Sequence, residues 1–166
     1  MMKYKLNKQI ELITTIAANV KTLYITQNYD NTLSNNDLLH NLGIIPEEYW
    51  VEENHEYTTV FGGNFNLTGW ENEFMIMMYD ALPEKLCVDF YAYDWKSAGV
   101  SMVEIDDSQT FYLSADKKKI SDITKMCKYN TSGDGTIGEV QLYFSDKTDA
   151  ENEEWLKESQ EILDNL

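Results

Sequence analysis

Residues 16–24 read IAANVKTLY, and Tyr29 follows five positions later. Ile16, Ala17, Val20, Leu23 and Tyr24 are spaced so that they share one side of an α-helix. Leu6, Ile10 and Ile13 carry the same stripe toward the N-terminus, while Lys5, Lys8, Glu11 and Lys21 fall largely off it. The pattern predicts an amphipathic helix over residues 3–27. A helix with one apolar stripe is stable only when another layer covers that stripe, so the rest of the chain has to supply one.

That layer is written in a different period. Residues 58–61, 64–68 and 73–79 are β-like, with Gly62-Gly63 and Thr68-Gly69 between them as turns. Residues 100–105 and 110–113 suggest a hairpin around Asp106-Asp107. Glu139–Phe144 alternates Val140, Leu142 and Phe144 with polar residues and predicts another strand. Short helices are expected at 35–42, with Ser34 and Asp37 at capping-box spacing and Gly43 and Pro46 closing it, at 83–95, opened by Pro83, and at 115–127, capped by Ser114. The segment NTSGDGTIG at 130–138 reads as a loop. Beyond Ser145, Thr148 and Glu151 again have capping-box spacing, and Trp155, Leu156, Ile162, Leu163 and Leu166 are expected on one helical face. Helix, mixed strands with short helices, then a terminal helix is an α+β order rather than alternating βαβ. There is no internal repeat and no linker, so residues 1–166 are read as a single domain.

The chain is long enough to bury a real core. Its formal net charge of −16 counts against a nucleic-acid backbone or an anionic lipid surface as partner. No apolar run is long enough to cross a bilayer, and no signal-peptide pattern is present. Cys87 and Cys127 lie 40 positions apart. In a cytosolic protein they would be two free thiols, in an exported one a single bridge. Zinc is poorly served, because there is no Cys-x-x-Cys pair and His40 and His55 are far from both cysteines.

The neighbouring acids Glu47-Glu48, Glu52-Glu53 and Asp106-Asp107 read as solvated surface. No recognisable nucleophile motif, phosphate loop or dinucleotide fingerprint occurs, so no catalytic residue and no cofactor is assigned. Asn130, Ser132, Asp134 and Gly135 match positions 1, 3, 5 and 6 of an EF-hand loop, yet position 12 is Gln141 where a bidentate Glu is needed. Asn130, Ser132 and Asp134 are therefore noted as a calcium-loop candidate without a metal being assigned. The triplets Asn66-Leu67-Thr68 and Asn130-Thr131-Ser132 match a glycosylation pattern that is common by chance. In DFYAYDWK, Tyr91 and Trp95 share one helical face and Phe90 and Tyr93 another, which is read as core packing in preference to a binding platform.

Taken in order, several stretches resemble type IVb pilins of the toxin-coregulated and thin-pilus kind. They are IAANVKTLY followed by Tyr29; DLLHNLGIIPEEY at 37–49, with its Leu-Gly-x-x-Pro turn; VFGGNFNL at 60–67; FMIMMYDALPEKLC at 74–87; and Cys127 ahead of a loop and the terminal strand EVQLYF. The resemblance covers residues 9–144.

What the resemblance implies is a long N-terminal amphipathic helix (1–27) packed on an antiparallel sheet, an αβ-loop (28–58), and a D-region (87–127) closed by a Cys87–Cys127 disulfide. It implies a non-catalytic structural subunit of a type IV pilus, assembling with other pilin subunits into an extracellular filament for adhesion, conjugation or secretion. It also implies anchoring in the inner membrane before assembly, processing by prepilin peptidase, partners in the pilus assembly machinery and a host or cell-surface receptor. The sequence departs from such pilins twice. The apolar half of the helix and the cleavage site are absent, so a truncated soluble domain is expected. The tail, 146–166, extends past the last strand, where its apolar residues favour a docked helix. The alternative from a different class is a secreted α+β adhesin or ligand-binding module that does not polymerise.

Overall fold

The protein is described by a computed structural model covering residues 2–166. Its N-terminal helix α1 (Met2–Leu23) lies over a seven-stranded sheet built from β1 (Trp50–Val51), β2 (Glu56–Thr58), β3 (Asn64–Trp70), β4 (Glu73–Pro83), β5 (Val100–Asp106), β6 (Phe111–Ser114) and β7 (Thr136–Ser145). Every pairing is antiparallel, in the spatial order β1-β2-β3-β4-β7-β5-β6. Four further helices complete the chain: α2 (Asn36–Asn41), α3 (Glu84–Ala92), α4 (Ile120–Tyr129) and α5 (Glu153–Asp164). The α+β architecture expected from the order of periods is the one observed.

The stripe on α1 buries Leu6, Ile10, Ile13, Ile16, Ala17 and Val20 as expected. The buried face is wider than the stripe, because Leu12 and Gln9 join it. Gln9, Leu12, Ile13 and Ile16 meet Phe65, Ile76 and Met78 of β3 and β4 with no space left between them for water. Gln9 is fully buried yet satisfied. Its carbonyl oxygen accepts from the Val60 amide at 2.9 Å, and its amide nitrogen reaches the Met78 sulfur at 3.2 Å. Such pairing is what makes a buried polar side chain tolerable. The helix ends at Leu23, short of the expected residue 27, and Leu23 is exposed. Gln27, with φ at 59°, turns the chain back so that Asn28 can bridge Glu71 and Tyr29 can pack edge-on against Phe74 at 4.8 Å.

The face of the central strands toward α1 is apolar at alternate positions. Phe74, Ile76 and Met78 of β4, Val140, Leu142 and Phe144 of β7, and Val103 and Ile105 of β5 are all buried on the same side. Phe74 and Phe144 stack in parallel across the β4–β7 pair at 4.8 Å. Two expected boundaries are corrected. Thr68-Gly69 is not a turn: both residues lie inside β3, and the reversal falls at Glu71-Asn72, where Asn72 adopts φ 65°. Gly69 is required for close approach, since a Cβ there would come within 2.7 Å of the Asp30 carbonyl oxygen. Gly69→Ala is expected to destabilise the fold by about 1–3 kcal/mol through overpacking, measurable as a lower urea midpoint with an unchanged slope. The second correction is Pro83, which closes β4 rather than opening a helix. It precedes α3, which spans Glu84–Ala92 and not 83–95.

Caps also fall differently from their expected places. Asn35, not Ser34, caps α2, its side chain accepting from the Leu38 amide at 3.1 Å. At the other end Gly43 adopts φ 67°, and the bonds Ile44 N to Leu39 O and Gly43 N to His40 O close the helix as expected. Ser114 does not cap a helix at 115–127. Its hydroxyl accepts from the amides of Asp116 and Lys117 to make a local turn, and α4 begins only at Ile120.

Candidate functional site

For a chain with no assigned chemistry, the informative geometry lies in the elements added around the helix-on-sheet core. The first is the lobe between the cysteines. α3 carries Cys87 and α4 carries Cys127, and the two are joined by a disulfide with Cα atoms 6.0 Å apart. Both residues are buried. The aromatic run in this lobe is core: Phe90, Tyr91 and Trp95 are fully buried and only Tyr93 reaches solvent. Trp95 lies past the end of α3, where its indole N–H donates to the Phe90 carbonyl at 2.7 Å. Tyr91 donates to the Glu104 carbonyl at 2.8 Å, tying α3 to β5 within the lobe.

The second element runs from α2 to β2. The ring of Trp50 stacks in parallel on His40 at 4.1 Å and meets His55 edge-on at 5.7 Å. Each histidine has its own carboxylate: His40 pairs with Glu47 at 2.7 Å and His55 with Asp37 at 2.6 Å. The Asp37 carboxylate holds the His55 imidazolium above its ordinary pKa. Behind Trp50, the fully buried Tyr57 ring links the loop to Phe65 of β3. In the sequence the two histidines, His40 and His55, lie in separate segments. Only the β1–β2 pairing of Trp50 with Tyr57 brings them to one indole.

The third is a row of polar side chains on the sheet face opposite α1. Glu104, Gln141 and Tyr112 are direct cross-strand neighbours. Glu104 is only 3% exposed, and Tyr143 donates its hydroxyl to it. Carboxylate oxygens of Glu104, Asp106 and Glu139 come within 4.8 Å of one another. Burial pushes the Glu104 carboxyl up to about 7, the Tyr143 hydrogen bond opposes that, and the nearby Asp106 and Glu139 charges add to it. Burial likewise raises the Tyr143 hydroxyl, reinforced by Glu104. The folded state therefore favours protonated Glu104. Its contribution is fully present below the carboxyl's unfolded value, is lost as pH rises through about 7, and leaves a penalty of at most about 3 kcal/mol above that. Glu104→Gln should raise stability at pH 8 and leave it nearly unchanged at pH 4, as read from urea midpoints at the two values.

The calcium-loop residues have other partners. Asn130 is buried; its side chain accepts from the Gln109 amide at 3.1 Å and donates to the Met126 carbonyl at 3.1 Å. Asp134 accepts from Ser132 and from the Thr136 amide and hydroxyl, and these bonds hold its carboxyl below the usual range. The loop 130–135 is a self-bonded turn into β7.

The last element is α5. Thr148 and Glu151 exchange the expected reciprocal bonds, with Glu151 accepting from the Thr148 amide at 3.0 Å and the Thr148 hydroxyl accepting from the Glu151 amide at 3.3 Å. The regular helix follows from Glu153. Its inward side is Asn152, Ser159 and Leu163, with Leu156 and Ile162 half-buried, whereas Trp155 and Leu166 are exposed, contrary to the expected five-residue face. Trp155 is an exposed aromatic that rests beside Tyr112, so its apolar character does not place it in the core. The helix packs along β6 and against α4.

A long amphipathic helix over an all-antiparallel sheet, with one disulfide tying two short helices together, defines a pilin-like α+β domain. The chain belongs to the pilin-related PilS N-terminal family, whose model matches residues 3–140. α5 lies outside that match. No curated protein and no solved structure matches the chain.

Proposed function

We propose that this chain is the globular part of a type IV pilin of the IVb kind, a structural subunit that assembles with further copies into an extracellular filament. The observation that carries the proposal is membership of the pilin-related family across residues 3–140, on a fold with the helix, sheet and disulfide such a subunit requires. On this reading residues 1–27 are the N-terminal segment that holds α1 (Met2–Leu23), 28–58 the αβ-loop, 87–127 the D-region and 146–166 a C-terminal extension. The loop around Trp50 and the lobe between the cysteines are then the surfaces that meet neighbouring subunits. The full-length subunit is anchored in the inner membrane until assembly, is processed by prepilin peptidase, engages the assembly machinery, and presents its acidic surface to a cell-surface receptor. Its role is mechanical and adhesive, not catalytic.

Immunogold labelling of source cells with antibody raised against residues 2–166 tests this. Gold along filaments, and loss of those filaments when the gene is deleted, is the expected result. Antigen found only as a soluble monomer in the medium, with filaments intact in the deletion strain, would replace the pilin reading with the secreted module.

A further inference from the structure

β6 is the last strand of the sheet, and an edge strand presents unpaired backbone groups to any strand of suitable geometry. In β6 the backbone of Phe111 and Leu113 faces β5, opposite Ile105 and Val103. By the antiparallel alternation, Tyr112 and Ser114 point their N–H and C=O groups outward. The Tyr112 N–H is taken by the Ser159 hydroxyl of α5 at 2.7 Å, a side chain standing where another strand's carbonyl would be. The Ser114 hydroxyl is held by both oxygens of Asp149 at 2.8 and 2.9 Å, just ahead of α5. Trp155 lies beside Tyr112 with ring centres 5.4 Å apart.

The grip of α5 is small. Its buried residues are Ser159 and Leu163, against eight on α1. Lys125 adds one bond, to the Leu163 carbonyl at 3.1 Å. Glu153, Glu154, Glu158, Glu161 and Asp164 oppose a single Lys157 within the helix, in a chain of net charge −16. Segments with few buried contacts open at lower free energy than the core does. Strand β6 itself carries no charge, so apposing two copies of it brings no like charges together within the strand. The opposite edge, β1, is only two residues long.

We propose that α5 is a guard on this edge: docked, it closes β6, and released, it lets β6 pair antiparallel with β6 of a second copy of this chain. About a twofold axis, Tyr112 of each copy would face Ser114 of the other, so that both outward residues of each strand exchange backbone bonds. The proposal is independent of the pilin reading, because it concerns the isolated domain.

The full-length double variant Ser159→Ala with Leu163→Asp releases α5. Light scattering coupled to size exclusion should show the mass doubling from 19.3 kDa as concentration rises, while the unaltered chain stays monomeric. Adding Tyr112→Pro, which removes the outward N–H, should return the monomer. A released variant that stays monomeric at every concentration, or a dimer that survives Tyr112→Pro, overturns the proposal. Should the double variant lose its near-ultraviolet circular dichroism, hydrogen exchange on the unaltered chain decides. The Tyr112 amide should exchange together with the amides of α5 and well before those of β4 and β7. Exchange of Tyr112 only with the β4–β7 core means that α5 never opens separately and sinks the proposal.

Discussion

Replacing Cys87 and Cys127 together by alanine is expected to lower the unfolding free energy by about 4 kcal/mol. The bridge joins residues 40 positions apart, and the chain-entropy model gives that figure for a loop of this length, acting mainly by restricting the unfolded chain. For a domain of this size the loss corresponds to about 8–16 °C in melting temperature. Alanine is the right replacement because both sites are buried, and a serine hydroxyl there would add a desolvation cost that confounds the measurement. The damage should be uneven. α3 and α4 are tied to each other directly by this bridge, whereas α1, β4 and β7 are joined to one another through the helix-on-sheet packing and the β4–β7 pairing as well. Calorimetry on both forms gives the total. Amide exchange should show protection lost first in residues 84–92 and 120–129. A melting temperature unchanged by the double replacement would mean that the lobe is already fixed by packing alone.

Trp95→Ala should cost about as much, roughly 3–5 kcal/mol for a fully buried large aromatic. The side chain fills the space between the end of α3 and the start of β5, with Phe90 at 5.1 Å and Tyr93 at 4.8 Å. Its backbone carbonyl also receives the amides of Ala98 and Val100, which set the entry into β5. Trp95→Phe separates the two contributions. It keeps most of the apolar volume but leaves the Phe90 carbonyl without the indole donor, so about 1–3 kcal/mol should remain lost. Urea titration of the three proteins gives the order wild type, Phe, Ala. A phenylalanine variant as unstable as the alanine one would show that the hydrogen bond outweighs the volume.

The parts of the fold that could be read ahead of the structure are those where one residue type has one physical use. The helical stripe from Leu6 to Val20 and the alternation Val140, Leu142, Phe144 fix which face is inside whatever the neighbours do. The glycines are ambiguous by contrast: Gly62-Gly63 marks a turn, while the same residue at 69 marks the place where the 30–34 turn crosses a strand. That crossing is a long-range contact with no local trace. Glu104 was invisible for a similar reason. An acid in VSMVEID looks like an exposed strand position, and it is buried between Tyr112 of the hairpin partner β6 and Gln141 and Tyr143 of β7, a strand that is adjacent only in space. The lobe between the cysteines was legible through family likeness, and the paired histidines around Trp50 were not legible at all, because β1 is too short to register as a strand.

The place of β7 in the sheet has a consequence for how the domain is made. It is the last strand in the chain and lies between β4 and β5, pairing with both. During synthesis from the N-terminus, α1, β3 and β4 are available early, and the β5–β6 hairpin follows. The two halves cannot join until residues 136–145 emerge, so both β4 and β5 wait with an open flank. Sheets closed by such distant pairings form slowly, and their waiting edges invite association with other chains. A chain interrupted between residues 114 and 136 would therefore not be a smaller pilin-like domain but two unjoined pieces of sheet.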